Sequence, residues 1–512
     1  MESSRAGQIA RNASVIAGAT LMSRVLGFVR DVVIAFALGA GPLADAFFVA
    51  FRVPNLLRRL FAEGSLTMAF VPVFTRTRNE EGISRAFALS RSTLIWLLAV
   101  LGCITALAML AAEPVTVLMT AGWLDDPELF RTTVRLVRIC FPYILFISGV
   151  ALCMGILNSM GHFLAPALAP CILNLVLIAA ALIGVWSGMS IPLLLSAGVL
   201  VAGLGQWLLQ QPFLHRFGFT WRGEWSLKDK AVQRVGRLML PTVIGAAVYQ
   251  LNIVVNTQLA SFLPQGSISF LYYADRLVQF PLGVFGLAVS TAALPSLSDL
   301  AASSRDREFR KTLSSTLGLT LFISLPAAAG LIGLREPLIR VLFQHGAFEI
   351  SATQATAGAL LGYAAGLPAF SCVRSFVSAY YALEDTVTPV VVASICLVFN
   401  AALGFALMQL FAHVGLAVAV SSASWLNIIL LGALLRRRTG PWLTMNWQLA
   451  ATVGLSALVW AGSAATSQWG WPALALIPAW AGLYFAGALL LGVPEARLLT
   501  GVIRRRPGRR TG

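Results

Sequence analysis

Long apolar runs follow one another along almost the whole chain, separated by short polar breaks, and few folds accept such a pattern. Read between the breaks, fourteen runs lie near residues 13–39, 43–74, 86–111, 132–159, 163–187, 190–214, 237–263, 267–298, 312–334, 352–381, 387–411, 414–435, 446–466 and 472–494. A membrane-crossing helix needs roughly 20 apolar residues, and each run is long enough. Within lipid every backbone N–H and C=O must be satisfied inside the protein, which leaves the helix as the fold for such a run. The pattern predicts an all-α polytopic membrane protein with 14 transmembrane helices. Composition agrees: 58% of residues are apolar and 11% charged, against about 45–50% and about 25% in soluble chains. No stretch is left for a separate soluble domain. The first run is interrupted by Arg24 and Arg30 and lacks a small-residue cleavage site, so it reads as a retained span.

Charge orients the stack. A net charge of +16 would suggest nucleic acid in a soluble chain, but the placement of the basic residues argues against that partner. Of 37 Lys and Arg, 25 fall at the N-terminus, in alternate loops and in the tail, from Arg5 and Arg11 to Arg436, Arg437, Arg438 and the run from Arg497 onward. The opposite loops hold only Arg131, Arg335 and Arg340, beside acids such as Glu113, Asp125 and Asp126. The positive-inside rule then places both termini in the cytoplasm. Trp442, Trp447, Trp469 and Trp471 flank the last two runs as an interfacial belt would.

Two halves of the chain align at a single constant offset. "EPVTVLM" from Glu113 matches "EPLIRVLF" from Glu336, and the same shift carries Pro72 onto Pro295 and Pro166 onto Pro389. Three separated anchors at one spacing argue for duplication of a six-helix unit. An even number of spans gives both units the same orientation, so the expected architecture is two six-helix bundles in parallel repeat plus two extra C-terminal helices. The expected divisions are 1–225, 226–438 and 439–512, the last holding spans 13 and 14 and a basic cytoplasmic tail. In transporters of this plan the substrate path runs between the halves.

Nine basic residues remain inside the runs. Arg135, Arg138 and Arg374 lie near helix ends and read as snorkelling to the interface. Arg24, Arg30, Arg52, Arg58, Arg59 and Arg276 do not, and a mid-span charge costs about 2.5–3.5 kcal/mol even on the lenient insertion scale. Arg24 and Asp31 are seven residues apart and share a helix face, as do Arg52 and Arg59, with Glu63 one turn further on. Two readings stay open at this point. One is an ion-pair network that locks helices together, using Asp31, Asp45, Glu63 and Asp275. The other is a hydrated cavity that binds an anion. Six basic residues against four acids leave the network unneutralised, which favours an anionic ligand.

Other chemistries leave no mark. Six cysteines sit inside apolar runs without metal-ligand spacing, and four histidines are scattered, so neither a metal nor a cofactor is expected. There is no GxxxxGK[ST], HExxH or GxSxG, which argues against nucleotide-driven pumping and against the common hydrolases.

Two stretches are recognisable. "SRVLGFVRD" followed by "DAFFVAFRVPNLLRRLFAEGSLTMAFVP", and "YYADRLVQFPLGVFGLAVSTAALPSLS" from Tyr272, resemble the MviN/MurJ family of lipid II flippases. The resemblance runs over essentially the whole chain. It implies export of the undecaprenyl-diphosphate-linked peptidoglycan precursor from the inner to the outer leaflet of the bacterial cytoplasmic membrane. It also implies lipid II, membrane lipids and other cell-wall synthesis proteins as partners, no nucleic acid, and a lipid-tail groove at spans 13 and 14. The family's important charges carry over to Arg24, Arg30, Asp31, Asp45, Arg58, Arg59 and Arg276. Gln279 stands where some relatives have an acid. Asn252, Asn256 and Asn400 occur in spans 7 and 11 without the mid-span carboxylate that a sodium site would use.

The rival expectations are an exporter of another polyprenyl-linked saccharide or a drug, and a polytopic membrane enzyme acting on lipid-linked sugars. A cationic drug wants a carboxylate-rich cavity, and an enzyme wants catalytic groups in sizeable outer loops. Neither feature is present in the sequence.

Overall fold

The computed structural model describes residues 2–61, 65–226, 228–283, 287–303, 305–441 and 447–504, and every regular element among them is helical. Glu63, Trp442 and the tail beyond residue 504 lie outside the described residues. The chain opens with α1 (Glu2–Leu38), α2 (Pro42–Phe61) and α3 (Thr67–Glu81). It continues with α4 (Ile83–Leu110), α5 (Ala112–Thr120), α6 (Pro127–Cys140), α7 (Tyr143–Ser159), α8 (Leu164–Ser187) and α9 (Ile191–Arg216). Next come α10 (Lys230–Ser261), α11 (Ser267–Pro281), α12 (Leu287–Ala302), α13 (Asp306–Gly333), α14 (Arg335–Phe343), α15 (Ile350–Ala364), α16 (Leu367–Ala382) and α17 (Val387–Thr439). The last helices are α18 (Trp447–Thr466), α19 (Trp471–Ala475), α20 (Ile477–Leu490) and α21 (Pro494–Arg504).

Helix ends follow local chemistry. Asp126 caps α6 by accepting the Leu129 N–H at 3.2 Å, and Pro127 occupies the first turn, where its missing N–H costs nothing. The short helices α5 and α14 likewise carry Pro114 and Pro337 in their first turns. The shift that carries Glu113 onto Glu336 also carries both ends of α4 onto those of α13, and both ends of α5 onto those of α14. At 53 residues, α17 would run about 80 Å if straight, far beyond the roughly 30 Å hydrocarbon core. It is two helices, broken at Ala412, where φ is 48° and ψ is −133°. Under the same shift Ala412 corresponds to Met189, in the gap between α8 and α9.

The chain divides into two compact units, residues 1–269 with 345–348, and residues 270–344 with 349–512. In the first, α1 packs on α8, α8 and α7 pack on α9, and α2 packs on α6. Small residues allow the close approach: a Cβ on Gly203 of α9 would sit 2.9 Å from the Phe146 Cβ and the Tyr143 ring. In the second, α16 packs on α12, α13 and α17, and α13 packs on α18. Buried tyrosines tie this unit together: Tyr380 donates to the Leu431 carbonyl at 2.8 Å, and Tyr484 donates to the Phe322 carbonyl at 2.7 Å.

Nine helices among the described residues are long and apolar enough to cross a membrane, with 387–439 counted once. The expected spans outside these nine are the first, second, seventh and eighth. α1 and α2 carry charges within their apolar runs.

Candidate functional site

The charges of α1 are arranged around Arg30. Its side chain is 8% exposed and that of Asp31 is 2% exposed, in an otherwise apolar stretch of helix. Arg30 Nε and Nη2 both donate to Asp31 Oδ1, at 3.0 and 2.7 Å. Its Nη1 donates to Oδ1 of Asn174 on α8, at 3.1 Å. Charge-assisted bonds of this kind are about twice as strong as neutral ones, and strength matters most where water is excluded. Arg24, two turns earlier, is half-buried.

On α2, Asp45, Arg52 and Arg59 recur every seven residues and so share a face, with Arg58 beside them. Asp45 is buried at 2% exposure. Its Oδ2 accepts the Gly266 N–H and its Oδ1 the Ser269 N–H, both at 2.7 Å, and the Ser269 hydroxyl also donates to Oδ1. Arg52 Nη1 donates to the Thr257 hydroxyl on α10, which itself donates to the Ile253 carbonyl at 2.7 Å. Arg58 and Arg59 are half-buried.

In the second unit, Arg276 lies over its own helix. Its guanidinium sits 4.6 Å from the centroid of the Tyr272 ring, and Nη2 donates to the Tyr272 hydroxyl at 2.9 Å. Gln279 donates to Asp275 Oδ2. Of the ten residues expected at the site, the structure therefore joins Arg30 with Asp31 directly. It places Asp45 at the start of α11, and gives Arg52 a hydrogen bond to Thr257, Arg276 one to Tyr272 and Asp275 one from Gln279. Arg135 and Arg138, expected to snorkel, are exposed on α6.

Asn174, Thr257, Ser269 and Tyr272 are the residues that sequence reasoning missed. Only Asn174 carried a signal, as the one amide in the apolar run "CILNLVLI".

The family model described as lipid II flippase MurJ matches residues 34–479. The chain belongs to this family. A Vibrio cholerae protein described as "Probable lipid II flippase MurJ" is 37% identical over 471 residues, covering 88% of this chain and 89% of the relative. A Burkholderia cenocepacia protein, "Lipid II flippase MurJ", is 36% identical over 87% of this chain and 88% of its own length. A solved structure of lipid II flippase MurJ in an inward closed conformation superposes with a TM-score of 0.79 at 26% identity, covering 95% of this chain and 99% of that one. An inward-facing multidrug resistance MATE transporter of the MOP superfamily superposes with a TM-score of 0.68 at 14% identity, over 83% of this chain and 98% of that one, which is a likeness of fold alone. The family is one of flippases, and so of transporters rather than enzymes.

Proposed function

We propose that this chain flips lipid II from the inner to the outer leaflet of the bacterial cytoplasmic membrane by alternating access, with a cationic cavity that receives the diphosphate. The observation that carries the reading is Arg30: a guanidinium buried in an apolar helix and held in one orientation, within a family of lipid II flippases. Arginine presents a planar fork that suits a diphosphate. Arg24, Arg30, Arg52, Arg58, Arg59 and Arg276 are assigned to the substrate. Asp31, Asp45, Glu63 and Asp275 are assigned to the same site as the acids that order it, Asp45 through the helix start it caps.

The recurrence of helix boundaries at one offset, α4 and α5 onto α13 and α14, supports two six-helix bundles within fourteen spans, divided near residues 225 and 438. The basic bias of alternate loops supports cytoplasmic termini. Export of a cationic drug is disfavoured because the six arginines assigned to the site outnumber its four acids.

Cells depleted of their own flippase and carrying this chain test the reading. The wild type should return lipid II to the outer leaflet and restore growth. Arg24→Ala and Arg58→Ala should remain in the membrane at wild-type level and fail to do so. Normal growth with either variant removes that residue from the site. Loss of the variants from the membrane would favour an ion-pair network that locks helices together.

A further inference from the structure

We infer that Asn174 is a positioning residue that fixes the Arg30 guanidinium for the transported diphosphate; the inference rests on the assignment of Arg30 to the substrate. Asn174 is 5% exposed in the middle of α8, and an unpaired amide there would be costly. Both ends of the amide are used. Oδ1 accepts from Arg30 Nη1 at 3.1 Å, and Nδ2 donates to the Ser23 carbonyl at 3.0 Å. Ser23 and Arg30 are two turns apart on one face of α1. Between them lies Gly27, whose missing Cβ would sit 3.6 Å from Nδ2 and 3.8 Å from Oδ1. The amide lies along α1 across the bare backbone of that glycine.

The partners settle which way the amide points. Turned over, it would set NH2 against a guanidinium N–H and its oxygen against a carbonyl. The same logic explains why the residue is asparagine. An aspartate would accept from Arg30, but its other oxygen would face the Ser23 carbonyl. It would also add a second negative charge beside a guanidinium that Asp31 already holds at 3.0 and 2.7 Å. Leucine matches the branching and offers no acceptor. A neutral acceptor orients the guanidinium while cancelling no further charge, which is what an anion site requires.

A double-mutant cycle on the full-length protein in nanodiscs tests this, with lipid II as the probe and unfolding temperature measured in parallel. The variants are Asn174→Leu, Arg30→Gln (which keeps a donor for Asp31) and the two combined. Asn174→Leu should weaken lipid II binding about tenfold, the size of one hydrogen bond to a charged group. In the Arg30→Gln background the same change should have no further effect. If Arg30→Gln weakens binding and Asn174→Leu does not, or if the two effects add, the positioning role is overturned. If Arg30→Gln itself leaves binding unchanged, the assignment of Arg30 to the substrate falls instead. Asn174→Ala, which adds no bulk, carries the same cycle if the leucine variant does not fold.

Discussion

Removing the Asp45 carboxylate should damage the start of α11 before it damages anything else. The residue before that helix is Gly266, with φ at +92°, so no side chain is available there to cap the first turn. Asp45 supplies the missing cap from α2, accepting the Gly266 and Ser269 N–H groups at 2.7 Å each. Its negative charge also faces the positive end of the helix dipole. A lost cap costs about 0.5–2 kcal/mol, and each buried N–H left without a partner costs about 1–3 kcal/mol. These terms overlap, so Asp45→Ala should destabilise by about 3–5 kcal/mol. Asp45→Asn keeps one acceptor and turns an NH2 against the other N–H, so about half of that loss is expected.

Thermal unfolding of the purified protein in detergent, followed by tryptophan fluorescence, should rank wild type above Asp45→Asn and Asp45→Ala last. Transport should decline in the same order. If Asp45→Ala unfolds at the wild-type temperature while transport is lost, the cap argument is wrong and the carboxylate acts on substrate directly.

Two further outcomes are expected. Thr257→Val preserves shape but removes the hydroxyl that accepts from Arg52; lipid II binding should weaken about tenfold, one hydrogen bond to a charged group, with unfolding temperature unchanged, and unaltered binding would exclude Arg52 from the site. In the loop before α17, Asp385 accepts the Thr388 N–H at 2.9 Å, the Thr388 hydroxyl at 2.7 Å and Arg438 at 3.0 Å. The Thr388 N–H, followed by its hydroxyl and the Arg438 charge, holds this carboxyl below the usual carboxylate range. Its stabilising effect is therefore full above the ordinary aspartate value of about 3.9 and is lost as pH falls through the lower folded-state value. Unfolding temperature across this acid range should fall less steeply in Asp385→Asn than in wild type, and equal slopes would refute the linkage.

The sequence made the long helices legible where nothing interrupts them, as in α4, α8, α9 and α13. It also placed the turn of α17 correctly, between 411 and 414, although the backbone there is otherwise continuous helix. The breaks inside apolar runs were not legible. The run at 132–159 divides into α6 and α7 around Phe141 and Pro142, and the run at 352–381 divides into α15 and α16 at Ala365 and Gly366. A break within a membrane protein is satisfied by protein groups rather than water, so it leaves no polar residues to mark it. At the site the asymmetry is chemical. Arg30 and Asp31 stand out because charges in lipid are expensive. Their neutral partners do not, because a threonine or tyrosine in a span is ordinary until its neighbour is known.

The placement of polar groups within the spans is itself informative. A lipid-facing helix must be apolar: α4 exposes Leu107 at 60% and Leu110 at 82%, and α17 exposes Val398 at 69% and Leu410 at 75%. A helix that turns polar groups toward protein is released from that demand. On α10, Gln250 and Thr257 are exposed at only 6% and 1%, and on α1 and α2, Arg30 and Asp45 at 7% and 2%. Such helices can carry polar groups because that face is hidden from lipid, and hiding it requires partners of fixed geometry. α1, α2 and α10 carry Arg30, Asp45, Arg52 and the threonine that holds Arg52. Here, a buried polar group in an expected span reports a face shaped by specific contacts, which is where a transporter's recognition chemistry must be built.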